Sequence, residues 1–442
     1  MRKKLLFAAS LVAALVIFTG CAKDDEPEYT PVNAGDFVRV TSTRTVTPFD
    51  IIGQFGIDFP DVLAGEQVQA MLSLLINQDI TVTKIAYLTE SPDHSIVEAS
   101  GIIAYSKNIA DGKTPLKQIV SVQHGTCDID EAPTLQTFPV ELAPVFRSGN
   151  IVVMPDYLGY GLSRTKDLQH PYMHAKYTGT ACADMLEAAL YYLKNNMEIG
   201  ISGNESIGLC GYSQGGQATI ATLFELQKRG YTNRIDEVLA GAGPYDLQAV
   251  FDAFKDWYGK DYDRCGYIPF TMRGIIYGES LDVDLHNIYA PMVFESGMAD
   301  AFNTTMLSDW HEKLGRDVSK VMHPDFLMAD GQPNADIRKF LAALESNSIL
   351  NCGTPARPET ITLFHEPQDE LVPYTCSVNA SRQWGCKLTD LEIAQSNHLL
   401  GGIEFYLRYL GFWDLAKRYL SALLPEYTNS SRPTARIGLL LG

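Results

Sequence analysis

The stretch Ile207-Gly208-Leu209-Cys210-Gly211-Tyr212-Ser213-Gln214-Gly215-Gly216-Gln217-Ala218-Thr219-Ile220-Ala221-Thr222-Leu223 decides the fold. Its first part, Ser206 to Gly211, is a short continuous apolar run, as expected of a strand buried on both faces. Its last part opens a helix expected over Gln214 to Lys228. Between them Gly211-Tyr212-Ser213-Gln214-Gly215 fits G-x-S-x-G, the pattern that sets a serine on a sharp strand-to-helix turn. The pentapeptide alone is weak evidence; strand, turn and helix in that order make it strong. Such a turn strains the serine backbone, and glycines at 211 and 215 let strand and helix pass closely. The helix start also places unpaired N–H groups and a positive dipole end beside Ser213.

Outward from this point, β-type runs precede it at Thr81 to Leu88, Ile96 to Tyr105, Gln118 to Gln123 and Asn150 to Met154. Val238 to Ala242, Thr360 to Phe364 and Leu388 to Ala394 follow it. Helical spacing appears over Tyr177 to Leu193 and about Leu400 to Leu420, with one more helix near Gln67 to Leu75. The segment from Ala34 to Asn77 is otherwise mixed. Strands alternating with helices imply a mostly parallel sheet covered on both faces, an α/β architecture. Between 247 and 351 the alternation breaks into helical patterning rich in Met and aromatic residues. This is read as a helical cap insertion, either an accessory subdomain or a lid shaping an acyl pocket.

At this point the chain resembles the α/β-hydrolase superfamily, and within it the secretory-lipase and carboxylesterase group. Besides the serine turn, His124-Gly125-Thr126 after a strand looks like the oxyanion-loop motif. Met154-Pro155-Asp156-Tyr157-Leu158-Gly159-Tyr160-Gly161 looks like the segment after the following strand. The resemblance covers most of Ile96 to Leu410 outside the insertion. It implies an α/β-hydrolase fold, an acyl-enzyme on Ser213, and the chain order serine, acid, histidine.

A serine hydroxyl needs a base. Of the nine histidines, His94, His124, His170 and His174 precede Ser213, while His286, His311 and His323 lie in the insertion. His398 stands after the last expected strand and before the last helix, the family position for the base, with His365 as its rival. The acid must orient the imidazole and stabilise its charged form. Asp369, in the loop after Thr360 to Phe364, matches the family position, with Glu366 and Glu370 beside it and Asp246 as the alternative placement. The oxyanion hole is expected from the backbone N–H of Gln214 and a second donor at Thr126 or Gly125. His170 and His174 are spaced as i and i+4, but Pro171 argues against a metal-binding helical turn there.

The expected reaction is hydrolysis of a small-molecule carboxylic ester, with no organic cofactor and no metal. Two rivals stand beside it: a prolyl-oligopeptidase-type peptidase, and a surface lipoprotein that uses the fold only to bind. About 80 residues precede the first clear strands, too few for the β-propeller such peptidases carry. Charge and composition narrow the field further. The 442 residues hold 35 Lys and Arg against 53 Asp and Glu, a net charge of -18, with 46% hydrophobic residues. That excludes a disordered chain and a multi-span membrane protein, and disfavours nucleic acid and anionic lipid surfaces.

The first residues read separately. Arg2, Lys3 and Lys4 precede an apolar run from Leu5 to Phe18 and then Thr19-Gly20-Cys21, the layout of a secretory signal peptide over 1–20. Cys21 directly after Gly20 resembles the lipobox of bacterial lipoproteins, which implies lipidation of Cys21, a tether over 21–35 and a hydrolase domain over 36–442. The expectation is an exported lipoprotein at the outer membrane or cell surface, held to the membrane only through that anchor, or else a secreted soluble form. Seven further cysteines remain. Cys376 with Cys386 and Cys265 with Cys352 are the pairs that spacing suggests in an oxidising compartment.

Overall fold

The computed structural model of the chain describes residues 30–58, 72–165, 167–195, 199–297, 307–328, 333–392 and 397–417. The signal segment and Cys21 lie outside the described residues. In chain order the strands and longer helices are β1 (Phe37–Val46), α1 (Pro48–Asp58), β2 (Ile80–Glu90), β3 (Ile96–Ser106), β4 (Gln118–Gln123), β5 (Asn150–Pro155), α2 (Ala175–Asn195), β6 (Ser206–Tyr212), α3 (Gln214–Lys228), β7 (Ile235–Gly241), α4 (Leu247–Asp256), α5 (Tyr267–Gly278), α6 (Leu307–Leu314), α7 (Ala335–Asn347), β8 (Ile361–His365), α8 (Thr375–Trp384), β9 (Lys387–Asp390) and α9 (His398–Tyr409).

The nine strands form one sheet in the order β1-β2-β3-β5-β4-β6-β7-β8-β9. Pairs from β1 to β5 are antiparallel; every pair from β5 through β9 is parallel. Alternation along the central strands explains why these runs are apolar throughout. Ile119, Ile151, Val153, Ile207 and Leu209 face one core, with α2, α3 and the insertion. Val120, Val122, Val152, Met154 and Cys210 face the other, with α1 and Phe405 and Tyr409 of α9. Burying each such side chain contributes roughly 1.5–3 kcal/mol, so the centre of the sheet is the rigid part of the molecule.

Differences from the sequence reading gather at the ends. β1 and α1 occupy part of the segment read as mixed. β1 is largely exposed and carries the polar run Thr41-Ser42-Thr43-Arg44-Thr45 besides Arg39, the composition of a sheet edge blunted by charge; Arg39 pairs with Glu98 at 2.8 Å. Of the helix expected near Gln67 to Leu75, residues 72–75 are helical and 67–71 lie outside the described residues. β9 stops at Asp390, with Leu391 and Glu392 already out of the ladder. The last helix is interrupted after Tyr409 by Gly411 at φ 74°, where a left-handed residue cannot continue a helix.

Between β7 and β8 the insertion contains helices and two isolated bridges, with no strand among its described residues. Phe251, Phe254, Phe326 and Phe340 pack together and continue into the core beneath the sheet.

The disulfide expectation is overturned: all seven cysteines among the described residues are free thiols. The Cys376 thiol points to the Asp246 carbonyl (3.5 Å), Cys265 to the Tyr262 carbonyl (3.3 Å) and Cys352 to the Ser348 carbonyl (3.3 Å). Contacts with backbone carbonyls, rather than with each other, are what the Cys376, Cys265 and Cys352 thiols make.

Candidate active site

β6 delivers Ser213 at its carboxyl end, in the middle of the parallel strands. The residue has φ 60° and ψ -125°, a strained conformation for a side chain with a Cβ. The turn is held by the Ser213 N–H donating to the Gly241 carbonyl (2.9 Å) and the Gly216 N–H donating to the Ser213 carbonyl (2.8 Å). A Cβ on Gly211 would collide with the Gly215 carbonyl, and one on Gly215 with the Gln123 carbonyl. Only glycine allows this approach at either position.

The structure brings Ser213, His398 and Asp369 into one chain of contacts. Nε2 of His398 is 2.8 Å from Oγ of Ser213, and Nδ1 of His398 is 2.6 Å from Oδ2 of Asp369. His398 is 3% exposed and the Asp369 side chain 0%, so the charges meet in low dielectric, where they act strongly. Burial pushes the Asp369 carboxyl up, but the neighbouring His398 and His365 hold it well below the usual carboxylate range. Burial also opposes a charged His398, yet Asp369, and then Glu370, raise its pKa above the ordinary imidazole value, while Arg264 pulls it down.

Each group is fixed from behind. Oδ1 of Asp369 accepts the Leu371 and Val372 N–H groups at 2.9 Å each. The Glu370 carboxylate accepts the His398 N–H (2.9 Å), and the Tyr212 hydroxyl donates to the His398 carbonyl (2.8 Å). Among the rivals, His365 lies behind Asp369 and does not reach Ser213 as a base would; its ring contacts Ser377 and Val372. Asp246 caps α4 through the Ala249 N–H (3.2 Å) and binds Asn379 (2.8 Å). Glu366 accepts the Gln368 N–H (2.8 Å).

The expected oxyanion groups flank Ser213. Neither the Gln214 nor the Thr126 N–H has an acceptor among the described residues, and Thr126 lines the same pocket as Ser213, with Gly125 just before it. The loop is braced by the segment after β5: the Tyr157 hydroxyl donates to the His124 carbonyl (2.8 Å) and Tyr160 to the Cys127 carbonyl (3.0 Å). His124 stacks on Tyr157 at 4.0 Å, and burial lowers its pKa to about 4. The Asp156 carboxyl, pushed up to about 6 by burial, accepts from Ser100 (2.5 Å) and the Thr134 N–H (2.8 Å).

Sequence reasoning missed three supports. His170 Nδ1 donates to the Leu158 carbonyl (2.8 Å), which leaves Nε2 to accept from the Gln214 side-chain amide (2.8 Å); burial lowers its pKa to about 3, keeping it neutral. Tyr172 reaches the Thr126 hydroxyl at 2.8 Å. Asp128, just past the oxyanion loop, accepts the Leu307 N–H, the Ser308 N–H (3.3 Å) and the Ser308 hydroxyl (2.7 Å), so it caps α6 of the insertion. Nothing in the linear pattern marks these, because each partner is far away in sequence. His174 instead pairs with Glu279 (3.1 Å), and among the described residues no cluster of His, Cys, Asp and Glu could hold a metal ion.

The insertion lines much of the pocket over Ser213. Leu247, Val250 and Phe254 of α4 contribute apolar surface, Tyr262, Tyr267 and Thr271 add to it, and Tyr172, Met173, Leu371 and Val372 line it from outside the insertion. The arrangement can deprotonate a hydroxyl beside two free N–H donors, with an apolar surface alongside.

No family model matches the sequence, and no curated protein matches it. Solved structures do resemble it in shape. A Legionella pneumophila protein shares 22% identity over 86% of this chain and 99% of its own, with a TM-score of 0.65. The rice cell wall degrading esterase LipA from Xanthomonas oryzae shares 17% identity over 86% and 98%, with a TM-score of 0.67. Candida antarctica lipase A shares 13% over 81% and 76%, with a TM-score of 0.53. Sheet order, the strained serine turn and these likenesses together establish that the chain has the α/β-hydrolase fold.

Proposed function

We propose that this protein is a serine hydrolase of carboxylic esters, of the esterase or lipase type. The carrying observation is the contact of Ser213 Oγ with His398 Nε2 at 2.8 Å, backed by Asp369 at 2.6 Å. His398 takes the hydroxyl proton as Ser213 attacks the ester carbonyl. The N–H groups of Gln214 and Thr126 receive the developing oxyanion, a contribution of several kcal/mol. His398 then protonates the departing alcohol, and water, deprotonated by the same imidazole, releases the acid from Ser213. Asp369 stays ionised throughout and stabilises the imidazolium. Each step draws on protein groups and water.

Two of the structural neighbours are an esterase and a lipase by name, which supports the ester reading. The test is covalent labelling with a fluorophosphonate and mapping of the adduct by mass spectrometry, alongside p-nitrophenyl ester turnover. An adduct on Ser213, and loss of both label and turnover in Ser213→Ala, are expected; a labelled site elsewhere, or a protein inert to both reagents, refutes the reading. We also propose lipidation at Cys21, on the lipobox-like Thr19-Gly20-Cys21; fatty-acid labelling lost in Cys21→Ala tests it.

A further inference from the structure

The segment His170-Pro171-Tyr172 stands outside the triad, yet its two rings reach the two residues expected to bind the oxyanion. On one flank, the Gln214 side-chain amide donates to Nε2 of His170 at 2.8 Å, and Nδ1 of His170 donates to the Leu158 carbonyl at 2.8 Å. On the other, the Thr126 hydroxyl lies 2.8 Å from that of Tyr172, and both of these residues line the pocket with Ser213. Pro171 fixes one backbone angle between the two rings. The Tyr172 N–H donates to the His170 carbonyl (2.8 Å), which closes the bend.

What these contacts hold is the direction of two N–H bonds. The Gln214 N–H belongs to the peptide of the Ser213 carbonyl, which accepts from the N–H groups of Gly216 (2.8 Å) and Gln217 (3.3 Å). The Thr126 N–H belongs to the peptide of the Gly125 carbonyl, which lies 2.7 Å from Nδ1 of His124. Each peptide is held at its carbonyl, and the side chain beyond it is held by His170 or Tyr172. A donor stabilises the transition state only when it points to where charge will form, and a misplacement of about 1 Å can cost about a hundredfold in rate.

The Gln214 side chain is a poor choice for stability alone. The residue is 1% exposed, and its Oε1 is buried without a partner among the described residues, a cost that an apolar side chain would not carry. His170 is kept neutral by burial, so Nε2 stays an acceptor. Its ring stacks on Tyr157 at 5.9 Å and meets Tyr160 edge-on at 4.8 Å. From the insertion, Phe270 of α5 lies 4.5 Å from the Tyr172 ring, and a Cβ on Gly274 would collide with the Tyr172 carbonyl.

We propose that His170 and Tyr172 are positioning residues of the reaction, one bend holding both flanks of the oxyanion hole: Gln214 through His170, and Thr126 through Tyr172. This rests on the ester-hydrolase reading and adds to it two residues that the triad does not include.

The experiment measures kcat, KM and inhibition by an alkyl trifluoromethyl ketone, which adds to Ser213 and sets an oxyanion in the hole. His170→Asn retains a donor for Leu158 but reaches no further; Tyr172→Phe loses only the hydroxyl. Each is expected to lower kcat about threefold to tenfold with KM nearly unchanged, and to weaken the ketone by a similar factor. His170→Gln, whose amide oxygen can stand in for Nε2, should recover part of the loss. Gln214→Met should match His170→Asn without a lower Tm, and the two combined should lose no more than either alone. An unchanged kcat in either single variant, a loss confined to KM or to Tm with the ketone unaffected, or losses that multiply in the combined variant overturn the proposal. Backbone N–H signals in the NMR spectrum give a reading that needs no turnover: Gln214 should shift in His170→Asn and Thr126 in Tyr172→Phe, and unmoved signals refute the positioning. Should the unmodified protein neither turn over an ester nor bind the ketone, the hydrolase reading fails while these signals still judge the two contacts.

Discussion

Nε2 of His365 lies 3.3 Å from Oδ2 of Asp369, the same oxygen that receives His398 Nδ1 at 2.6 Å. One carboxylate oxygen thus serves two buried imidazoles. Nε2 of His365 also faces the Val372 carbonyl (3.1 Å), while Nδ1 lies 2.7 Å from the Ser377 hydroxyl. With two acceptors on one side, the proton is assigned to Nε2, and Ser377 donates to Nδ1.

His365→Leu therefore removes a donor from Asp369 without touching Ser213. The expected result is a fall in kcat of about tenfold, with KM little changed, since one hydrogen bond to a charged group is worth about 1.5–3 kcal/mol and part is recovered from backbone donors. His365→Gln, which can restore an N–H donor, should recover some of that loss. Steady-state kinetics on a p-nitrophenyl ester read both.

The two candidate acids separate cleanly. Asp369→Asn should lower kcat by on the order of a thousandfold to ten-thousandfold, because the wrong tautomer of His398 is then favoured. Asp246→Ala should leave the triad intact and cost about 1 kcal/mol of stability through the lost cap on α4. A melting curve and a kcat for each variant decide the assignment.

The acidic limb of the pH–rate profile follows from His398. It must be neutral to accept the proton, and Asp369 and Glu370 raise its pKa despite burial. Activity should therefore be lost below a midpoint higher than that of an ordinary imidazole. In Asp369→Asn the main raising influence is gone, so the limb should move to lower pH while the plateau drops. A limb that moves upward contradicts the assignment.

Tyr157→Phe deletes only the hydroxyl that holds the His124 carbonyl. A net hydrogen bond of about 0.5–1.5 kcal/mol corresponds to about twofold to tenfold in rate. That loss should fall on kcat rather than KM, because a displaced oxyanion loop affects the transition state more than the ground state.

The thiols give a further check. Titration with a disulfide reagent in denaturant should find seven free thiols besides Cys21, and far fewer in the native protein, where burial shields them and raises Cys182 to about 12 and Cys386 to about 11.

Much of the centre was readable because its constraints are local. Two buried faces make Gln118 to Gln123 apolar, and the turn at Ser213 demands its glycines. Chain order then singled out His398 and Asp369, provided the resemblance was admitted. β1 escaped because an exposed edge strand has no apolar alternation to detect. The cysteine pairs failed because spacing along the chain says nothing about where two Cβ atoms point. His170 and Tyr172 owe their placement to loops that only the folded chain brings together.

Asp128 reaches from the end of the loop beside Ser213 to the first turn of α6. One carboxylate therefore joins the loop that carries Thr126 to the first turn of a helix in the insertion. A displacement of that helix either gives up three contacts to Asp128 or pulls on the loop that carries Thr126, so the position of the one is felt at the other.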